Sequence, residues 1–101
     1  MVYLKLVRDK IPEKIQSSGK KCSVETLNDR DYLKAVDAKL SEELAEYYAD
    51  PSLDELADLL EVIRAAAMAR GYTLSELEEA RAKKERERGA FQKKLQLIEV
   101  F

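Results

Sequence analysis

Pro51 interrupts the most helix-like part of this chain, and that break sets what the chain can fold into. The residue before a proline is pushed out of helical geometry, so a helix running through SEELAEYYAD must end at Asp50-Pro51. The spacing predicts that this first long helix begins near Asn28 or Asp29. A second follows at once, with the capping sequence Ser52-x-x-Glu55 at its start and Gly71 at its end. A third repeats the logic, from Thr73-x-x-Glu76 to Gly89. The link at Asp50-Pro51 is short, so the first two helices are expected to fold back antiparallel as a helical hairpin.

The flanking segments read differently. Residues 2–7 (VYLKLV) have the composition of a short strand, and residues 22–27 that of another. Between them Asp9 is placed to cap a short helix, with Pro12 in its first turn and Gly19 at its end. The segment FQKKLQLIEVF is apolar enough to dock, as a strand beside the N-terminal one. The expected fold is therefore mainly α: a helical bundle built on an antiparallel hairpin, with short N- and C-terminal strand-like segments. Residues 1–101 read as one domain.

Composition removes whole classes of function. The chain has no histidine, which excludes Ser-His and Cys-His nucleophiles and every His-ligated metal site. Its three glycines, at 19, 71 and 89, cannot form a P-loop or a dinucleotide-binding turn. Eighteen basic against twenty acidic residues argue against a nucleic-acid polymer as partner. Cys22 is the only cysteine, which suits a reducing cytoplasm. The opening MVYLKLVRDK meets charge too early for a secretory signal, and the longest uncharged apolar run, AAAMA, is too short for a bilayer. A cytoplasmic protein with no membrane association is expected. Chemistry must come from carboxylates, Lys, Arg, Tyr or a metal.

Two carboxylate phrases flank the proline, Glu43-x-x-Glu46 and Glu55-x-x-Asp58. Such pairs are common on wet helix faces, and Glu55 also suits the N3 position of a capping box. Helical phase separates these four from ordinary surface charges. At about 100° per residue, Glu43 falls at the border of the stripe made by Leu33, Val36, Leu40, Leu44 and Tyr47. Glu55 points into the wide apolar arc that includes Leu56, Leu59, Val62, Ile63 and Ala66, and Asp58 flanks it. Asp54 and Glu61 point the opposite way. In an antiparallel hairpin about Asp50-Pro51, positions whose numbers sum to 101 share one height, and this pairs Glu43 with Asp58 and Glu46 with Glu55. Four converging carboxylates repel one another unless a cation joins them. All-oxygen ligation suits Mg²⁺, with Mn²⁺ possible, and Mg²⁺ commonly bridges to substrate phosphates. Candidate phosphate partners are Arg8 and Lys10 before the short helix, Lys39 one turn before Glu43, and Lys84 and Arg86 late in the third long helix. Basic residues at a helix C-terminus also complement its dipole.

These residues resemble a known group. Glu42-Glu43-x-x-Glu46 followed by Glu55-x-x-Asp58 is similar to the signature of the all-α nucleoside triphosphate pyrophosphohydrolases, a superfamily with MazG-like proteins, dimeric dUTPases and phosphoribosyl-ATP pyrophosphohydrolases. The opening KLVRDKIP and the late KERERGAF narrow the resemblance to small single-domain MazG-like house-cleaning proteins. Two departures stand out: eight residues separate Glu46 from Glu55, fewer than in many members, and Ala90 stands where a second glycine is frequent.

The resemblance implies hydrolysis of a nucleoside triphosphate to the monophosphate and pyrophosphate. In that reading Glu43, Glu46, Glu55 and Asp58 hold Mg²⁺, and Glu42 orients or deprotonates the attacking water. It also implies a homodimer or larger homo-oligomer, in keeping with an apolar arc on the second helix too wide for one partner helix. Two alternatives stand beside it: a phosphoribosyl-ATP pyrophosphohydrolase of histidine synthesis, and a non-catalytic helical interaction module with a vestigial site.

Overall fold

The computed structural model describes residues 4–101 and is mainly helical. Four helices follow in order: α1 (Ile11–Ser17), α2 (Asp29–Ala49), α3 (Leu53–Ala69) and α4 (Leu74–Arg88). Each long helix starts where a side chain satisfies a free backbone donor. Asn28 accepts from the Asp31 N–H at 2.8 Å, Ser52 from Glu55 at 3.2 Å and Thr73 from Glu76 at 3.0 Å. At α4 the box is complete, because the Glu76 carboxylate also accepts from the Thr73 N–H.

At α3 only half of the expected box forms. The Ser52 N–H donates to the Asp50 carbonyl at 2.7 Å, so the Glu55 carboxylate has no donor to reach for and is free to turn elsewhere. Gly71, at φ +92°, closes the other end of α3 in the left-handed region. The Tyr72 and Gly71 N–H groups there cap the Ala67 and Met68 carbonyls at 3.0 Å each. α1 differs from expectation at its start: Lys10, not Asp9, holds the cap position, and no side chain caps it.

No strand occurs among the described residues. Residues 4–7, 22–27 and 91–101 follow irregular paths, which corrects the expectation of strand-like flanks for those segments. The rest of the first expected strand, Val2 and Tyr3, lies outside the described residues. Composition can favour a strand, but a strand exists only where another supplies its hydrogen bonds. In the segment after α4, Leu95, Leu97, Ile98, Val100 and Phe101 are all exposed.

α2 and α3 form the body of the fold. α3 returns along α2 so that Arg70, just past its end, reaches back to Asp37 at 3.1 Å. Val36 of α2 is the one fully buried apolar residue among those described. The half-buried positions of α3 include Glu55, Asp58, Leu59, Val62 and Ala66, whose spacing of three or four traces the face against α2. A second stripe, Leu53, Leu56, Leu60 and Ile63, stays exposed. The wide apolar arc is thus only partly covered.

α1 packs on none of the other helices, and α4 packs lightly on α3, with its last turns in solvent. Pairs such as Arg81 with Glu78 at 2.6 Å and with Glu85 at 2.7 Å stabilise α4 along its own surface. The surface area records this open arrangement. A compact monomer of this mass exposes about 5,800 Å²; this chain exposes 9395 Å². Its radius of gyration, 17.7 Å, likewise exceeds the roughly 13 Å of a compact domain of about this length.

Candidate functional site

The contact of α2 with α3 gathers the acidic phrases at the Pro51 end of the hairpin. Carboxylate oxygens of Glu43, Glu55 and Asp58 lie within 4.8 Å of one another, and so do those of Glu42, Glu43 and Glu46. Glu43 belongs to both groups and joins them. It is also the buried member, with 6% of its surface exposed; Glu42, Glu55 and Asp58 are half-buried and Glu46 is exposed.

Burial at this place has an electrostatic cost that the chain only partly offsets. Oε2 of Glu43 and Oε2 of Glu55 are sealed from solvent with no hydrogen-bonding partner. Two buried acceptors without donors are an unusual arrangement in a folded protein. The Glu55 carboxyl is pushed above its ordinary value, first by desolvation, then by the charges of Glu46, Asp58 and Glu43. The incomplete cap at Ser52 is what allows Glu55 to sit here.

Three basic residues counter the acidic group. Lys39, nearly buried, lies one turn before Glu43, with its Nζ 3.2 Å from Glu42 Oε1 and 3.3 Å from Glu43 Oε1. Desolvation works to lower the Lys39 pKa, but hydrogen bonds to Glu42 and Glu43 and their charges outweigh it, and the net shift is upward. Arg8 reaches in from the segment before α1 and donates to Asp58 Oδ1 at 2.6 Å. Lys5 approaches Glu42 at 3.9 Å.

The other candidates stand apart. Lys10 occupies the cap position of α1 and is exposed. Lys84 and Arg86 lie on the solvated part of α4, and among the described residues no ion pair links either to the acidic cluster. Sequence reasoning had no way to single out Lys5; only its place in the KLVRDKIP segment hinted at a role. Of the tyrosines on α2, Tyr32 and Tyr47 are half-buried and Tyr48 is exposed. Tyr47 and Tyr48 rings lie 6.1 Å apart, and Tyr32 lines an open cavity of about 330 Å³ at the far end with Asp29, Met68 and Gly71.

Chemically, the site offers oxygen donors from two helices around a buried carboxylate, with basic side chains at its rim. That donor set fits a hard divalent cation: every donor is a carboxylate, and two of their oxygens lack a partner.

Comparison with known proteins adds a relative but no role. The chain is 51% identical over 49 residues to an uncharacterized protein of Mycolicibacterium smegmatis (strain ATCC 700084 / mc(2)155), a match covering 48% of this chain. The match spans about half, 50%, of that relative's length. No family model matches the chain. No solved structure matches it either.

Proposed function

We propose that this chain is a Mg²⁺-dependent nucleoside triphosphate pyrophosphohydrolase of the MazG-like kind. The observation that carries the reading is the convergence of Glu43, Glu55 and Asp58 from two helices, with sealed, unpartnered oxygens on Glu43 and Glu55. A purely structural cluster gains nothing from such oxygens, whereas a cation-binding one needs them.

Glu43, Glu55 and Asp58 would hold the ion, with Glu46 at the exposed edge. Bound Mg²⁺ (or Mn²⁺) would neutralise phosphate oxygens and acidify a water. The chain's own residues supply the rest. Glu42, oriented by Lys39, accepts the proton of the attacking water as the bond between the α- and β-phosphates breaks and pyrophosphate leaves. Lys39 offsets charge at the site, and Arg8 and Lys10 approach the phosphates from the segment before α1. Lys84 and Arg86 reach a site only if a second chain brings them there.

The uncovered α3 stripe supports a homodimer or larger assembly. The surface in excess of a compact monomer is roughly 3,500 Å², several times the ~800 Å² per partner of an ordinary stable interface. Self-association through Leu53, Leu56, Leu60 and Ile63 buries the unpaired half of the arc. A cytoplasmic location accords with the single cysteine. Among the described residues, no helix is long and apolar enough to cross a membrane.

The same stripe favours a second reading, a helical interaction module whose carboxylates are vestigial. Pyrophosphate release from a panel of standard and damaged nucleoside triphosphates, with and without Mg²⁺, separates the two. Mg²⁺-dependent release from at least one nucleotide supports the enzyme. Its absence across the panel, with no Mg²⁺ binding, leaves the interaction module.

A further inference from the structure

We propose that Arg8 is a displaceable counter-ion of Asp58, which a divalent metal evicts and which then grips the substrate's phosphates. The inference rests on the reading of Asp58 as a metal ligand.

Four observations lead to it. Arg8 Nη2 sits 2.6 Å from Asp58 Oδ1, at a carboxylate whose neighbours, Glu43 and Glu55, carry unpartnered oxygens. Arg8 therefore offsets part of the charge at the position a cation would take. A guanidinium and a metal ion exclude each other at one carboxylate oxygen, both by charge and by volume. The pair is also weakly held, because its side chains are 56% and 39% exposed. Exposed pairs of this type hold loosely enough for a divalent ion to displace them.

The segment carrying Arg8 is tied to the body of the fold by side-chain pairs rather than by helix packing. Residues 4–9 are irregular and α1 packs on none of the other helices, so their release breaks no helix–helix contact. Once freed, the guanidinium remains beside the site, and its planar fork matches phosphate oxygens in two-point contact. Asp58 thus holds Arg8 in readiness until the metal arrives, and metal precedes nucleotide in the order of binding. Lys39 does not share this behaviour. It is tied to two carboxylates at once, sits on the rigid α2 and is nearly buried.

The test compares the full chain with its Arg8→Gln and Lys14→Gln variants. Mn²⁺ alone is titrated by calorimetry or electron paramagnetic resonance, followed by inorganic triphosphate at fixed Mg²⁺. Arg8→Gln is expected to bind Mn²⁺ about two- to fivefold tighter, the factor set by losing one exposed ion pair. It should bind triphosphate about tenfold or more weakly, since a charge-assisted contact is gone. Lys14→Gln removes the same charge from the exposed face of α1 without touching Asp58, and its Mn²⁺ and triphosphate affinities should match the unsubstituted chain. Equal Mn²⁺ affinity in all three proteins, or the same gain in both variants, overturns the role of Arg8 and leaves the metal site standing. Failure of every protein to bind Mn²⁺ overturns the metal reading of the carboxylates as well.

Discussion

Leu60→Lys provides a direct test of the uncovered α3 stripe. Leu60 is 57% exposed in the single chain, so a polar replacement should leave the folded protomer intact. Burying a leucine side chain fully is worth about 1.5–3 kcal/mol. The share still open to a partner is then about 0.9–1.7 kcal/mol per protomer. In a two-fold dimer the substitution counts twice, about 1.7–3.4 kcal/mol, or roughly a 15- to 300-fold weaker association. Desolvating the new ammonium adds to that loss, so the lower figure is a floor. Sedimentation velocity over a concentration series measures the constant, and far-ultraviolet circular dichroism checks that the helices persist. A chain that is monomeric before substitution, or a Leu60→Lys variant that associates as tightly as the original, refutes the assignment of this stripe as an interface.

Further outcomes concern the site and the core. Glu43→Gln and Asp58→Asn are expected to abolish Mg²⁺-dependent pyrophosphate release while preserving the helical spectrum, whereas Asp54→Asn and Glu61→Gln on the outer face should change turnover little; similar losses in both sets count against the placement of the site. The raised Glu55 pKa gives the metal-free protein a signed pH dependence. Between the ordinary value of 4.5 and the higher folded value, the folded state holds a proton that the unfolded chain releases, so Glu55 lowers stability as pH rises through that window. Urea midpoints measured with chelator should show this downward contribution, and Glu55→Gln should remove it. Val36→Ala, at the one fully buried apolar position described, deletes two methyl groups and should cost about 2 kcal/mol. For a chain of this length that lowers the thermal midpoint by roughly 10 °C in a calorimetric scan.

The helices were the most legible part of the sequence because their signals are local. Asn28, Ser52 and Thr73 cap the three long helices, Pro51 separates the first two, and Gly71 closes α3 in the left-handed conformation that only glycine adopts cheaply. The gathering of the carboxylates was legible for a related reason. A short turn of fixed position sets the register of two regular helices, and arithmetic on residue numbers then brings Glu43 to Asp58. Among the described residues the strand-like segments form no strand, because β propensity describes a surface waiting for a partner, and residues 22–27 find none here.

By itself, then, the sequence determined where the three long helices begin and end, which four carboxylates share the Pro51 end of the hairpin, and which chemistries lack their residues. These follow from backbone caps, helical period and the absence of histidine, all readable without knowing what touches what. Tertiary structure alone decided that Glu43 is the buried member, that Glu55 leaves its cap to join it, and that half of the α3 arc has no cover. It also brought Arg8 to Asp58 across fifty positions of chain. Such contacts depend on where whole elements come to rest, and that is set by the sum of many weak burial and charge terms rather than by any local signal.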